Sequence, residues 1–337
     1  MMTRRPVHLT AAALAVGLVA AACSSGSTST TSSSGTNAVT AAQLSKLTLR
    51  IGDQKGTGAQ ALLTAAGLIG KLPFKATWDD FTSGPPMLQA MGAGSIDIGG
   101  VGDAPPVFAA AAGENIAVVG ALLGNPLGAA IVVPKNSPIK TVAQLRGKKI
   151  AVSQGSSADY HLLATLKLAG LTPKDVTLDY LQPTEALPAF DSGAIDAWDI
   201  WSPYIEQVTA QDGARVIANG VPIGNTYSFE VASRSALADP VKVAAIRDYI
   251  KLLNEAHTWS NTHPDQWARV WAAETGLPDS VMIKAAKDST SDPVPVSSTV
   301  INAEQSITND FYAAGLIPSD IHFASYSVTT FNSDVNP

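Results

Sequence analysis

Ser95-Ile96-Asp97-Ile98-Gly99-Gly100-Val101-Gly102-Asp103-Ala104-Pro105-Pro106 runs from a short apolar segment through a glycine-rich turn into two consecutive prolines. Residues 95–99 read as a strand and 99–103 as a turn. Residues 103–112 read as a helix, because proline is tolerated in the first helical turn, where its missing N–H has no intrahelical partner to lose. Residues 116–121 then read as the next strand. A strand–helix–strand unit of this kind is the building block of an α/β fold.

The same alternation extends outward in both directions. Upstream lie a strand at 47–51, a helix at 59–70, a strand at 74–78 and a helix at 85–91 that opens on Pro85-Pro86. Downstream, an apolar strand at 128–133 stops at Pro134, and the alternation restarts with helices at 141–145, 157–169, 183–191 and 203–210. Between them fall strands at 149–152, 176–180, 195–200 and 215–218, then a returning strand at 227–233. From residue 241 onward the pattern is helical with little strand signal. Two series of similar rhythm predict two similar lobes, built on mostly parallel strands. The apolar stretch 107–133 is not a membrane span, since Glu114, Asn115 and Pro126 interrupt it.

Composition supports a folded body: 337 residues, 46% hydrophobic and 15% charged, with a formal net charge of −6. No run of Lys and Arg is present, so no nucleic-acid footprint is expected. The single cysteine, Cys23, excludes a disulfide framework and any Cys-rich metal site. Residues 1–22 read as a secretory signal peptide: Arg4-Arg5 supply positive charge, an apolar stretch follows, and Ala20-Ala21-Ala22 leads into Cys23. Small residues before a cysteine resemble a bacterial lipobox, although Ala20 stands where leucine is usual. Cys23 is therefore expected to be acylated, the alternative being an ordinary cleaved signal with an incidental cysteine. The Ser/Thr/Gly-rich stretch after it reads as a flexible tether, so that 23–44 is lipidated cysteine plus linker. The chain is expected at the outer face of the bacterial cytoplasmic membrane. Loss of Arg4 and Arg5 on processing would make the body still more acidic.

Small or hydroxylic turns sit where strands lead into helices: 54–58, 82–86, 99–103 and 153–157. In open α/β sheets ligands collect beyond the carboxyl ends of strands, where helix N-termini offer free N–H groups and a positive partial charge. One such turn is equally an ordinary N-cap. Four, divided between two lobes, predict an anion cleft. None matches a P-loop or a dinucleotide fingerprint. Trp78, Phe81, Tyr160, Trp198 and Trp201 cluster near the same turns and would serve either as core or as apolar walls for an organic tail. Trp259, Trp267 and Trp271 are assigned to lobe packing.

Several stretches closely resemble the aliphatic-sulfonate-binding (SsuA/TauA-like) substrate-binding lipoproteins of ABC importers. They are Leu49-Arg50-Ile51-Gly52 with Gln54-Lys55, Phe81-Thr82-Ser83-Gly84-Pro85-Pro86-Met87-Leu88-Gln89-Ala90, Gly102-Asp103-Ala104-Pro105-Pro106-Val107-Phe108, and Asp196-Ala197-Trp198 with Ile200-Trp201 and Pro203-Tyr204. The resemblance covers roughly residues 45–320. It implies a two-lobed periplasmic-binding-protein fold (type II) with two crossover segments and a ligand cleft between the lobes. The crossings are expected near 132–134 and 229–232, giving lobe 1 as 45–132 plus a returning helical part 232–337, and lobe 2 as 133–231. It further implies capture of a small organic sulfonate, alkanesulfonate or taurine-like, and delivery to an ABC permease with its ATPase subunits by a monomer without cofactor. Nitrate, a sulfate ester or a pyrimidine or thiamine precursor are the alternatives within the fold. A non-transport interaction lipoprotein is the alternative outside it.

Carried onto matching positions, the resemblance places Gln54, Ser83, Gly84, Asp103, Gly155, Ser156 and Ser157 around the anionic headgroup, and Tyr160, Trp198 and Trp201 along the tail. Asp103 is expected to cap a helix and orient amides, since a carboxylate would repel the anion. His161, early in its helix, is a candidate ligand contact or a capped surface histidine. Relatives often carry an uncharged residue where Asp199 stands and an acid where Ser202 stands. If Asp199 faces the cleft, with Glu230 near the hinge, the site would favour an amine-bearing sulfonate; otherwise Asp199 is a solvated acid or a cap. Catalysis is not expected. A related desulfinase branch uses a cysteine nucleophile, and here the one cysteine lies upstream of the fold. No Gly-x-Ser-x-Gly elbow or zinc-type His/Cys set is present.

Overall fold

The computed structural model describes residues 39–54, 58–224 and 226–335. The signal peptide, Cys23, most of the linker and the Lys55-Gly56-Thr57 part of the first turn lie outside the described residues.

Two sheets form the frame. The first holds β1 (Thr48–Gln54), β2 (Lys75–Phe81), β3 (Ile98–Gly102), β4 (Ile116–Gly124), β10 (Tyr227–Ser233) and β11 (Ser291–Val294), in the order β11-β4-β10-β3-β1-β2. The second holds β5 (Ala129–Val133), β6 (Lys149–Val152), β7 (Thr177–Tyr180), β8 (Ala197–Trp201) and β9 (Arg215–Asn219), in the order β7-β6-β8-β5-β9. Each belongs to one lobe of a mixed α/β, two-lobed fold.

The expectation of mostly parallel strands is corrected. Pairs β1–β2, β1–β3, β6–β7 and β6–β8 are parallel, whereas β10 with β3 and β4, β11 with β4, and β5 with β8 and β9 are antiparallel. The reversed strands are those entered from the other lobe, together with the edge strand β11, whose Pro293 suits an edge position and hid it from a pattern search.

Both crossings also fall earlier than expected. β5 already pairs with β8 and β9, so the first crossing is the segment between β4 and β5 around Asn125–Gly128 rather than 132–134. Likewise β10 lies between β3 and β4, so the return precedes Tyr227 rather than falling at 229–232. An apolar strand reads alike on either side of such a crossing, which is why its lobe could not be assigned from sequence. The two segments run side by side: Gly220 N–H donates to the Pro126 carbonyl (3.0 Å) and Gly124 N–H to the Thr226 carbonyl (2.8 Å). A Cβ at position 220 would stand 2.6 Å from the Pro126 oxygen, so only glycine permits that approach.

Burial follows the patterning. β4 is buried along nearly its whole length, as a strand flanked on both sides must be, and the helix Pro240–Thr262 buries Ala245, Ile246, Tyr249, Ile250, Leu253 and Ala256 at helical spacing. Asp97 is fully buried, yet accepts from Arg50 (Nη2, 2.7 Å) and Lys242 (Nζ, 2.8 Å), so it ties β1 to that helix. These partners hold the carboxyl below its usual range although burial pushes the other way. No helix among the described residues is long and apolar enough to cross a membrane.

Candidate functional site

A cavity of about 330 Å³ lies between the lobes, at the carboxyl ends of β1 and β3 and the N-terminal end of the helix Ser157–Leu168. Lobe 1 supplies Gln54, Gly84 and residues 100–103; lobe 2 supplies Ser156, Ser157, Ala158, Tyr160, His161 and Trp201. The lobes touch around it. Thr82 and Ser83 in lobe 1 donate through their hydroxyls to the Gln182 Oε1 of lobe 2 (2.9 and 2.8 Å). Ser157 hydrogen-bonds Asp103 across the same cleft, and Lys167 pairs with Asp310 at 2.7 Å.

Of the residues expected at the ligand, Gln54, Gly84, Asp103, Ser156, Ser157, Tyr160, His161, Trp201 and Glu230 line the cavity. Gln54 donates through Nε2 to the Gly100 carbonyl (2.8 Å), which fixes the end of β1 against β3. Asp103 caps the helix Ala104–Ala111 by accepting the Ala104 N–H (2.8 Å), as a group that positions amides should. Ser156 caps the helix Ser157–Leu168, leaving the first amides of that helix, at Ser157 and Ala158, on the cavity wall.

Four expected ligand residues do not face the cavity. Ser83 is fully buried, and its hydroxyl is committed to Gln182. The Gly155 N–H donates to the buried Asp159 carboxylate (2.8 Å), so this amide braces the turn instead of meeting a ligand. Trp198 is fully buried in the core of lobe 2 against Phe190 (6.0 Å) and Tyr204 (5.6 Å). Asp199 is also fully buried and bonds His161 instead of facing the cleft. The cause is strand alternation: Trp198 and Ile200 join one core of lobe 2, and Asp199 points to the opposite face, toward the helix that carries His161.

His161 Nδ1 donates to Asp199 Oδ2 at 2.7 Å, Nε2 is buried as well, and the Asn219 backbone adds a further hydrogen bond to the ring. Burial alone would lower the imidazole pKa, but the Asp199 charge and hydrogen bond outweigh it and hold it above the ordinary value. Burial pushes Asp103 up to about 6 against the Ser157 hydrogen bond. Glu230 on β10 is pushed up to about 8 by burial and by the Asp53 charge. Asp53 itself caps the helix Ala59–Ala65, accepting from Gln54, Ala59 and Gln60 (2.9, 2.8 and 3.0 Å). Burial drops His257 to about 4, leaving it neutral with Nδ1 3.0 Å from the Ser291 hydroxyl. Among the described lining residues, His161 is thus the one basic side chain whose pKa is held above its ordinary value, while burial pushes the Asp199 carboxyl behind it up as well.

Sequence reading missed part of the wall. Trp267 and Trp271, assigned to packing alone, pack in the lobe 1 core and also line the cavity, together with Leu253 and His257. Their spacing of four on one helix was the available signal. Gln182 was missed because it precedes its helix in the other lobe and bears no motif. No group of His, Cys, Asp and Glu among the described residues is arranged to hold a metal ion.

The profile of the NMT1/THI5 like family matches residues 84–264. The chain is 37% identical over 284 residues to an aliphatic sulfonates-binding protein of Escherichia coli (strain K12), spanning 83% of this chain and 88% of that one. The solved alkanesulfonate-binding protein SsuA from Xanthomonas axonopodis pv. citri, bound to MOPS, superposes with a TM-score of 0.78 at 37% identity, over 83% of this chain and 98% of that one. The desulfurization enzyme DSZB shares the fold alone, with a TM-score of 0.60 at 17% identity over 86% and 99% of the two chains.

Proposed function

The chain belongs to the NMT1/THI5-like family, among its aliphatic-sulfonate-binding members, and from that premise we propose that it is the extracytoplasmic solute-binding protein of an ABC importer. It captures a small organic sulfonate between its lobes and delivers it to a permease served by separate ATPase subunits. The observation that carries this reading is the interlobe cavity, which joins helix amides and hydroxyls of both lobes to one buried imidazole.

The headgroup binds at the Ser157 and Ala158 amides, the Ser156 and Ser157 hydroxyls, the Gly84 amide and the His161 imidazolium, all of which replace water around a trigonal SO₃⁻ group. Tyr160 and Trp201 flank the organic tail. With an overall charge of −6 the chain repels anions at long range, so attraction is local to these groups. The lobes close on the ligand, and the Gln182 contacts latch the closed form.

The protein is exported and acts as a monomer, held at the outer face of the cytoplasmic membrane by acylated Cys23. It acts as a binding protein like its relatives, and the cysteine chemistry of the desulfinase branch has no nucleophile within the fold.

Thermal-shift and calorimetric titration against alkanesulfonates, taurine, sulfate, nitrate and a pyrimidine test the reading. A sulfonate at 100 times its Kd should add roughly 2.7 kcal/mol of stability by mass action. Absence of binding by every sulfonate would overturn it.

A further inference from the structure

The cavity extends beyond the headgroup site into lobe 1, between β10 and the helices Pro240–Thr262 and Pro264–Thr275, where Leu253, His257, Trp267 and Trp271 line it. Glu230 projects into this wall. It is only 7% exposed, and its Oε2 has no hydrogen-bond partner. Its strand neighbours are Gly100 on β3 and Gly120 on β4, and a Cβ at position 100 would stand 2.7 Å from Glu230 Oε1. The two glycines make room for a carboxylate at the floor of the cavity.

Among the described residues, none supplies the positive charge that such a carboxylate calls for. Asp53 nearby adds negative potential, and its own oxygens are occupied by three backbone amides. Tyr249, close enough for its hydroxyl to feel both carboxylates, is uncharged and has no hydrogen-bond partner of its own. His257 is neutral. No Lys or Arg lines the cavity among the described residues. The indoles of Trp267 and Trp271, stacked 5.2 Å apart, complete a wall of the kind that favours a cation.

We propose that Glu230 is a specificity-determining residue that receives a protonated amine at the far end of the ligand, so that the preferred ligand is a zwitterionic aminosulfonate rather than a plain alkanesulfonate. This rests on the sulfonate reading above. Anion and cation are then recognised by different walls: imidazole, hydroxyls and helix amides at one, carboxylate and indoles at the other. Glu230 is a protonated acid in the empty site and releases its proton to bulk water as the ammonium arrives, which avoids a bare buried charge before binding.

Calorimetry with pairs matched in shape tests it: taurine against propane-1-sulfonate, and 3-aminopropane-1-sulfonate against butane-1-sulfonate. For the wild-type chain at least one amine should bind tenfold or more tightly than its alkyl partner. Glu230→Gln should abolish that preference by weakening the amine compounds tenfold or more relative to their alkyl partners. Gly100→Ala, which keeps the acid but crowds it, should reduce the preference without removing the fold. Equal or tighter binding of the alkyl compounds by the wild type, or an unchanged preference in Glu230→Gln, overturns the role of Glu230 while leaving the sulfonate reading intact. Failure of all four compounds to bind overturns both.

Discussion

His161 Nδ1 and Asp199 Oδ2 lie 2.7 Å apart, both side chains buried, with the imidazole edge on the interlobe cavity and the carboxylate behind it. An imidazole facing a carboxylate must donate from Nδ1, because the ionised acid only accepts. The pair therefore fixes the ring and its tautomer, with His161 among the residues that line the cavity. On the proposed reading, Asp199 acts on an anionic ligand through His161 and not by contact. His161→Gln and Asp199→Asn should each weaken sulfonate binding by roughly 10- to 100-fold, the worth of one buried charge-assisted hydrogen bond. His161→Gln should also remove most of the effect of Asp199→Asn in the double variant. Calorimetry on the two single variants and the double variant measures this coupling.

The same pair gives alkanesulfonate binding a pH dependence of known sign. On the proposed reading the imidazolium binds the anion; burial lowers its pKa, but Asp199 outweighs this and raises it above the ordinary value, with the Asn219 backbone and Asp103 adding in the same direction. Affinity should be flat well below the folded-state pKa and fall by up to about tenfold per pH unit once the pH passes it. In His161→Gln the alkaline decline should disappear. A decline that persists unchanged would assign it to another group.

The positions of most strands and helices were legible because each is short, buried on a regular period and punctuated by Gly or Pro. β6, the helix Pro183–Asp191 and β10 fall where the pattern places them. The cleft between lobes was legible at its helix N-termini for the same reason. Strand direction was not, because β5 and β10 look like any apolar strand until their partners are known. Nor was the facing of Trp198 and Asp199: adjacent strand residues diverge to opposite faces, and which face meets the cavity depends on the helix packed against it. His161 and Asp199 are 38 residues apart in sequence. Only the packing of helix Ser157–Leu168 on β8 joins them.

Gln182 predicts a latch. Its Oε1 accepts from both Thr82 and Ser83 across the cleft, so Gln182→Ala removes two hydrogen bonds that exist only when the lobes meet. At about 1 kcal/mol net for each, the closed form should lose up to about 2 kcal/mol. Sulfonate dissociation should accelerate by roughly 5- to 30-fold with little change in association. Stopped-flow measurement separates the two rates.

Trp198 and Trp201 share a strand but differ in role. Trp198 is fully buried against Phe190 and Tyr204, so Trp198→Ala should cost about 3–5 kcal/mol of stability. Trp198→Phe should retain ligand affinity once folded. Trp201 is partly exposed on the cavity wall, so Trp201→Ala should cost less stability and weaken binding of longer sulfonates more than of methanesulfonate. Denaturant titration and calorimetry of the same variants distinguish the two.

Glu230 also ties the stability of the empty protein to pH. Its folded pKa is pushed up to about 8 from 4.5, so between those values the folded state holds a proton that the unfolded chain has released. The stabilisation is complete below pH 4.5 and is lost as pH rises through 8, with a slope of up to about 1.4 kcal/mol per pH unit. Asp159, raised to about 7, acts in the same direction. The ligand-free protein should therefore become less resistant to denaturant from pH 5 to pH 8, against the usual trend for salt-bridged carboxylates such as Asp97. Glu230→Gln, neutral at every pH, should flatten the profile and be more stable than the wild type at pH 8 than at pH 5, relative to each. A ligand whose ammonium neutralises Glu230 should flatten the wild-type profile in the same way, whereas a plain alkanesulfonate should raise stability and leave the slope.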